Sequence, residues 1–229
     1  MRRVAAGRAR RGRNGDDWGL WVPRTRLKPE ERKSQILAAA AEGIVEQGYL
    51  PVSLEALAKK LGVSKALIYA YFPTQLHLVN GLLHEHYPGV ARAQLDVLRD
   101  ENDLAAIAEQ CAAAYFDHIV RVGPLLQILL SDLYAAGKVD ADILTLQRRV
   151  AVGLADAVRR TTSLDPKQGL AAVRLLISIV EEAGTLAFRG AYDAAVCRSL
   201  CLELVAGGLA ELQVQFRPRS AARRSPAAG

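Results

Sequence analysis

The chain has 229 residues, of which 51% are hydrophobic and only 6% aromatic. That length can bury a substantial core in one or two domains, and the aromatic-poor, Ala- and Leu-rich balance suits packed helices better than a β-sandwich. The formal charge of +6 and the pI near 9.4 favour an anionic partner, nucleic acid or an anionic surface, while no apolar run approaches a membrane span.

In chain order, residues 1–23 read as a disordered basic arm. Arg2, Arg3, Arg8, Arg10, Arg11 and Arg13 crowd it, and it has few large apolar residues. The Arg2-Arg3 pair is followed by no apolar run, so it is not an export signal. A first helix follows and ends at Gly48. Leu54, Leu57, Ala58 and Leu61 form an i, i+3, i+4, i+7 stripe that marks a second helix. Ser53 stands where a hydroxyl accepts from an orphan backbone N–H, and Gly62 where a helix ends in the left-handed region. Ser64 caps a short third helix over about 65–72.

A fourth helix starts near Thr74. Pro88-Gly89 interrupts it, because Pro88 cannot donate to His84 and its ring crowds that carbonyl. A helix resumes over 90–98. Asp103 caps a helix over 104–121, and Gly123-Pro124 opens another that ends near Ala136-Gly137. Asp140 or Asp142 starts the next, which reaches Thr161. Asp165-Pro166 opens a helix to about Arg189, and the last runs from about Asp193 to Phe216. With no strand-like alternation, the fold class is all-α with nine or ten helices. The organisation is the arm, a helix–turn–helix unit over 24–78, a helical domain over 79–217 and a disordered tail over 218–229.

A tight helix–turn–helix presents the N-terminal side chains of its second helix to a major groove. Lys65 there can donate to guanine O6/N7 or to a phosphate, and the Ala66 methyl can touch a thymine methyl. Ser53 and Ser64 can reach phosphates while capping. Leu67, Tyr69, Ala70 and Tyr71 are the further DNA-binding candidates, with Tyr69 open between core packing and a phosphate contact. Tyr71 is favoured for the DNA-facing hydroxyl. The arm's arginines add phosphate neutralisation, and Arg11-Gly12-Arg13 suits a narrow minor groove.

The order of these pieces resembles the N-terminal DNA-binding domain of the TetR family of bacterial transcriptional regulators. Ile36-Leu37, Ala39-Ala40, Gly48-Tyr49, Ser53, Leu57-Ala58, Gly62-Val63-Ser64, Ile68-Tyr69, Tyr71-Phe72 and Leu78 carry the resemblance over about 32–83. The chain departs from the family pattern at Val52, Leu67 and Gln75, where the family often has phosphate-contacting side chains. The resemblance implies a cytoplasmic homodimer, usually a repressor, released from a palindromic operator by a small organic effector. An effector-less DNA-binding protein is the alternative.

No catalytic pattern is present: there is no GxSxG, no HExxH and no phosphate-binding Gly-rich loop. His77, His84 and His86 cluster near the linking helix, where His77 and His84 at i, i+7 could share a face with Glu85 or Asp96; solvent-exposed histidines are the default reading there, and neither a metal nor a cofactor is expected. Cys111, Cys197 and Cys201 read as small buried hydrophobes. Cys111, Tyr115 and His118 share one helix face, and Gln127, Leu130 and Tyr134 share another. Glu181-Glu182 interrupts a strongly apolar helix. These residues are the expected lining of an effector cavity of several hundred cubic ångströms. The last two helices, apolar and with close-approach glycines at Gly184, Gly207 and Gly208, are the expected dimer contact.

Overall fold

A computed structural model describes residues 27–218, which hold nine α-helices and no strand. The expected arm of residues 1–23 falls outside the described residues, as does all but the first position of the expected tail. The helices are α1 Pro29–Gln47, α2 Leu54–Leu61, α3 Lys65–Tyr71, α4 Gln75–Asp100, α5 Leu104–Val122, α6 Leu125–Ala136, α7 Ala141–Thr161, α8 Pro166–Phe188 and α9 Ala194–Gln215.

Most boundaries follow from local hydrogen bonding. Ser53, Ser64, Thr74, Asp103, Asp165 and Asp193 each accept from a backbone N–H two or three residues ahead. Gly48 and Gly62 close α1 and α2 with φ of 80° and 62°, conformations that a Cβ penalises. At the start of α8, Gln168 returns the bond to the Asp165 backbone and completes a capping box.

The expected break at Pro88 does not occur: α4 runs unbroken through it for 26 residues. An interior proline costs about 3 kcal/mol. Against that, nine α4 side chains are buried, from Leu78 through Tyr87 to Gln94, and each large apolar one contributes about 1.5–3 kcal/mol. Packing on α1, α5, α6 and α7 therefore decides the outcome.

Two hydrophobic cores result. The first joins α1–α4 to α6 and the start of α7, around Ile36, Ile68, Leu78, Leu82, Leu125 and Leu129. The second joins α5, the end of α7, α8 and α9, around Ile107, Phe116, Val158, Val180 and Cys201. Gly184 lets α8 lie directly on α5, since a Cβ there would sit 2.8 Å from the Ile119 Cβ. Gly208 admits Leu176 between α9 and α8, whereas Gly207 faces open space.

Candidate nucleic-acid interface and interior cavity

The helix–turn–helix is held from both sides. Ser53 Oγ accepts from the Ala56 N–H and Ser64 Oγ from the Leu67 N–H, each at 3.2 Å. Ile68 and Phe72 bury one face of α3 in the first core, which leaves Ser64, Lys65, Ala66, Tyr69 and Ala70 exposed. Leu67 is half-buried. Tyr71, the tyrosine favoured for an outward hydroxyl, is half-buried against the first core; Tyr69 is the more open at 41% exposure. The Lys65 ammonium pairs with Glu55 on α2 and lies 5.8 Å from the centroid of the Tyr69 ring. Gln75, with its amide oriented to satisfy both atoms, donates to Val52 O and accepts from Val52 N at 2.8 Å each. It ties the start of α4 to the segment before α2.

The second core contains a narrow apolar cavity of about 60 Å³. Its walls come from α4, α5, α7, α8 and α9 and include Gln94, Ile107, Cys111, Tyr115, Val180 and Leu209. The volume is well below the several hundred cubic ångströms expected, because side chains of five helices close on the space. Burial pushes the Cys111 thiol up to about 11, so it stays neutral on the wall. At the edge of this region the Tyr115 hydroxyl donates to Glu181 Oε1 at 3.2 Å, and Gln127 Nε2 approaches Glu181 Oε2 at 3.5 Å. Burial raises the Glu181 carboxyl, opposed by the Tyr115 hydrogen bond and by Arg174. Tyr115 is pushed well above the ordinary phenol range by burial and then by that carboxylate.

A third polar site lies between α4 and α5. His118 is 5% exposed and packs edge-on to His86, with ring centroids 6.3 Å apart. Arg121 Nη2 lies 3.4 Å from its Nδ1, and its Nε2 has no hydrogen-bond partner. Burial, helped by Arg121 and His86, drives its pKa down to about 4, so the ring is neutral near pH 7.

Residues 36–82 match the family model described as bacterial regulatory proteins, tetR family. Over this stretch the chain is similar to the N-terminal domain of the TetR family. Members are DNA-binding transcription factors rather than enzymes. The HTH-type transcriptional activator FasR of Mycolicibacterium smegmatis is 32% identical over 94 residues. The aligned stretch covers 41% of this chain and 43% of that protein, so the chain spans less than half the length of this relative. A TetR-like transcriptional regulator from Rhodococcus sp. RHA1 has the same fold, with a TM-score of 0.62 at 17% identity over 81% of this chain and 99% of its own. So does FadR of Bacillus subtilis, solved in complex with stearoyl-CoA, with a TM-score of 0.58 at 21% identity, covering 76% and 98% of the two chains.

Within this TetR-family fold, the structure separates the residues expected to line one cavity. Cys111 and Tyr115 line it. Gln127 and Glu181 meet Tyr115 at the adjoining polar cluster. His118 belongs to the site with His86, Leu130 packs on the first core, and Glu182 is exposed. The Tyr134 side chain falls outside the described residues. Three participants escaped the sequence reading. Gln94 lines the cavity seven residues beyond buried Tyr87, a spacing hidden by the expected break at Pro88. Glu55 meets Lys65 across the turn, where no helical spacing links them. Asn80 holds the turn before α7, donating to Lys138 O at 3.3 Å and accepting from the Asp140 N–H at 3.2 Å. His84 does not bind His77 or His86; it pairs with Asp140 at 3.0 Å and Asp142 at 3.5 Å. No described helix is long and apolar enough to cross a membrane.

Proposed function

We propose that this protein is a homodimeric repressor that reads a palindromic double-stranded operator through α3 and is released by an apolar small molecule entering the second core. The observation that carries the DNA reading is the exposed Ser64-Lys65-Ala66 edge at the start of α3, on a helix whose opposite face is locked into the core. Loss of Lys65 to Ala should cost about 1–3 kcal/mol and relax specificity at one base pair per half-site. Selection of bound duplexes from a random pool tests this reading, and absence of enrichment would sink it.

A second copy of the chain is the partner that fits α9. Val196, Leu200 and Leu204 lie at i, i+4 and i+8, and the two leucines are each 59% exposed. Leu175 on α8 is 70% exposed. Two helices from each copy would bury these side chains in a four-helix bundle, and two-fold symmetry would set the half-site spacing. Leu200→Glu should convert the dimer to monomer in light scattering and abolish operator binding.

The effector reading rests on the cavity's apolar walls with Tyr115 and Gln94 as the hydrogen-bonding groups. A ligand site usually holds about 300–1,000 Å³, so an occupant must part α5 from α8 and α9. Coupling that expansion to the half-site spacing gives release by population shift. The FadR complex makes long-chain acyl-CoA the first class to screen. The tightness of the cavity favours a second reading, an effector-less DNA-binding protein. Release of operator by an acyl-CoA series, blocked by the cavity-filling change Ala112→Phe, supports the first reading; release by none of a broad apolar panel supports the second.

A further inference from the structure

Resting on the DNA-binding reading, we propose that Glu55 is a specificity-determining positioning residue that holds Lys65 for base reading and discourages its use on phosphates. Lys65 is the only cation in α3, and its ammonium has two partners in the folded chain. One is the Glu55 carboxylate on the first turn of α2, and the other is the face of Tyr69 one turn along α3. Each lowers the freedom of a side chain that otherwise retains several rotamers. The proximity is mutual: Glu55 holds the Lys65 pKa above its ordinary value, and Lys65 draws the Glu55 carboxyl below its own.

An exposed pair of this kind adds little to folding. Its consequence lies in the choice between two DNA complexes. An ammonium has three N–H donors. With one on Glu55, the others remain free to reach a guanine edge from the start of α3, so the pair survives base reading. A Lys65 that swings to a phosphate must leave Glu55. The first helix of a helix–turn–helix crosses the DNA backbone, which would place an unpaired Glu55 carboxylate among phosphates. The repulsion falls on non-specific complexes and not on the base-reading one, and discrimination arises from that difference.

Full-length wild type and Glu55→Gln are titrated at several salt concentrations with a pool-selected duplex and a scrambled duplex of equal length and composition. Glu55 is exposed, and Gln keeps its shape, so an unchanged thermal melt verifies the fold. The scrambled duplex should bind several-fold tighter to Glu55→Gln, while the selected duplex binds equally or more weakly, so the specificity ratio falls. The slope of log affinity against log salt on scrambled DNA should steepen by about 0.9 for each Lys65 that gains a phosphate. Glu55→Asp should restore part of the ratio, and in a Lys65→Ala background Glu55→Gln should leave the ratio unchanged. A wild type that discriminates, with Glu55→Gln raising both affinities equally or neither, would overturn this role alone. A wild type that binds both duplexes equally would overturn the DNA-reading assignment with it.

Discussion

The two hydrophobic cores differ in how they treat polar groups. Around the first, the polar side chains of α2 and α3 stay outside: Ser53 and Ser64 cap, and Lys65 and Glu55 pair in solvent, while the buried Asn80 of α4 is satisfied by the turn before α7. Around the second, polar groups go in. Gln94 and His118 are buried, Glu181 is half-buried under Tyr115, and an apolar cavity remains among them. On the proposed reading the first core presents a surface to a partner, while the second keeps an interior space and a buried His118 Nε2 without a hydrogen-bond partner. Helix α6 touches both, since its Leu125 and Leu129 sit in the first core while its Gln127 reaches toward Glu181 of α8.

The sharpest way to break this comparison is to cut each core. Phe116→Ala in the second core should cost about 3–5 kcal/mol, and Ile68→Ala in the first about 2–5 kcal/mol. If the cores differ as described, Ile68→Ala should abolish DNA binding, whereas Phe116→Ala should chiefly lower the melting temperature. Identical loss of both properties in the two variants would mean that the cores act as one.

The buried histidine gives the second core a pH signature. The folded pKa of His118, near 4, lies below its unfolded value of about 6.5. Above pH 6.5 the ring is neutral in both states and contributes little pH dependence. As pH falls from there toward 4, the unfolded chain takes up a proton that the fold excludes, so stability is lost by on the order of 3 kcal/mol. His86, lowered in the same direction by its own burial, adds to this slope. His118→Leu should flatten most of the dependence of melting temperature on pH between 7 and 4. An unchanged slope would place the responsible group elsewhere.

Smaller effects sharpen the contrast further. Gly184→Ala forces α8 away from Ile119 and should cost about 1–3 kcal/mol by overpacking, read as a lower denaturation midpoint with DNA affinity preserved at low temperature. Ser64→Ala removes the α3 cap for about 1 kcal/mol, yet should weaken operator binding more than it weakens the fold. A reversed ranking of these two variants in a binding assay would contradict the division between a reading core and a responding one.

What the sequence determined by itself is most of the helices and their ends. Caps such as Ser53, Ser64, Asp103 and Asp193 act on backbone groups two or three residues away, and Gly48 and Gly62 supply a conformation that is a property of one residue. The apolar stripe of α2 was legible for the same reason, since helical periodicity is local. Tertiary structure alone decided the rest. Burial on four neighbouring helices carried α4 through Pro88, and contact with α5 and α6 turned Glu181 inward while Glu182 stayed in solvent. The turn brought Glu55 to Lys65, and closure of five helices shrank the cavity to about 60 Å³. Each of these outcomes sums interactions between residues far apart in the chain, where close packing, rather than sequence spacing, sets which side chains meet.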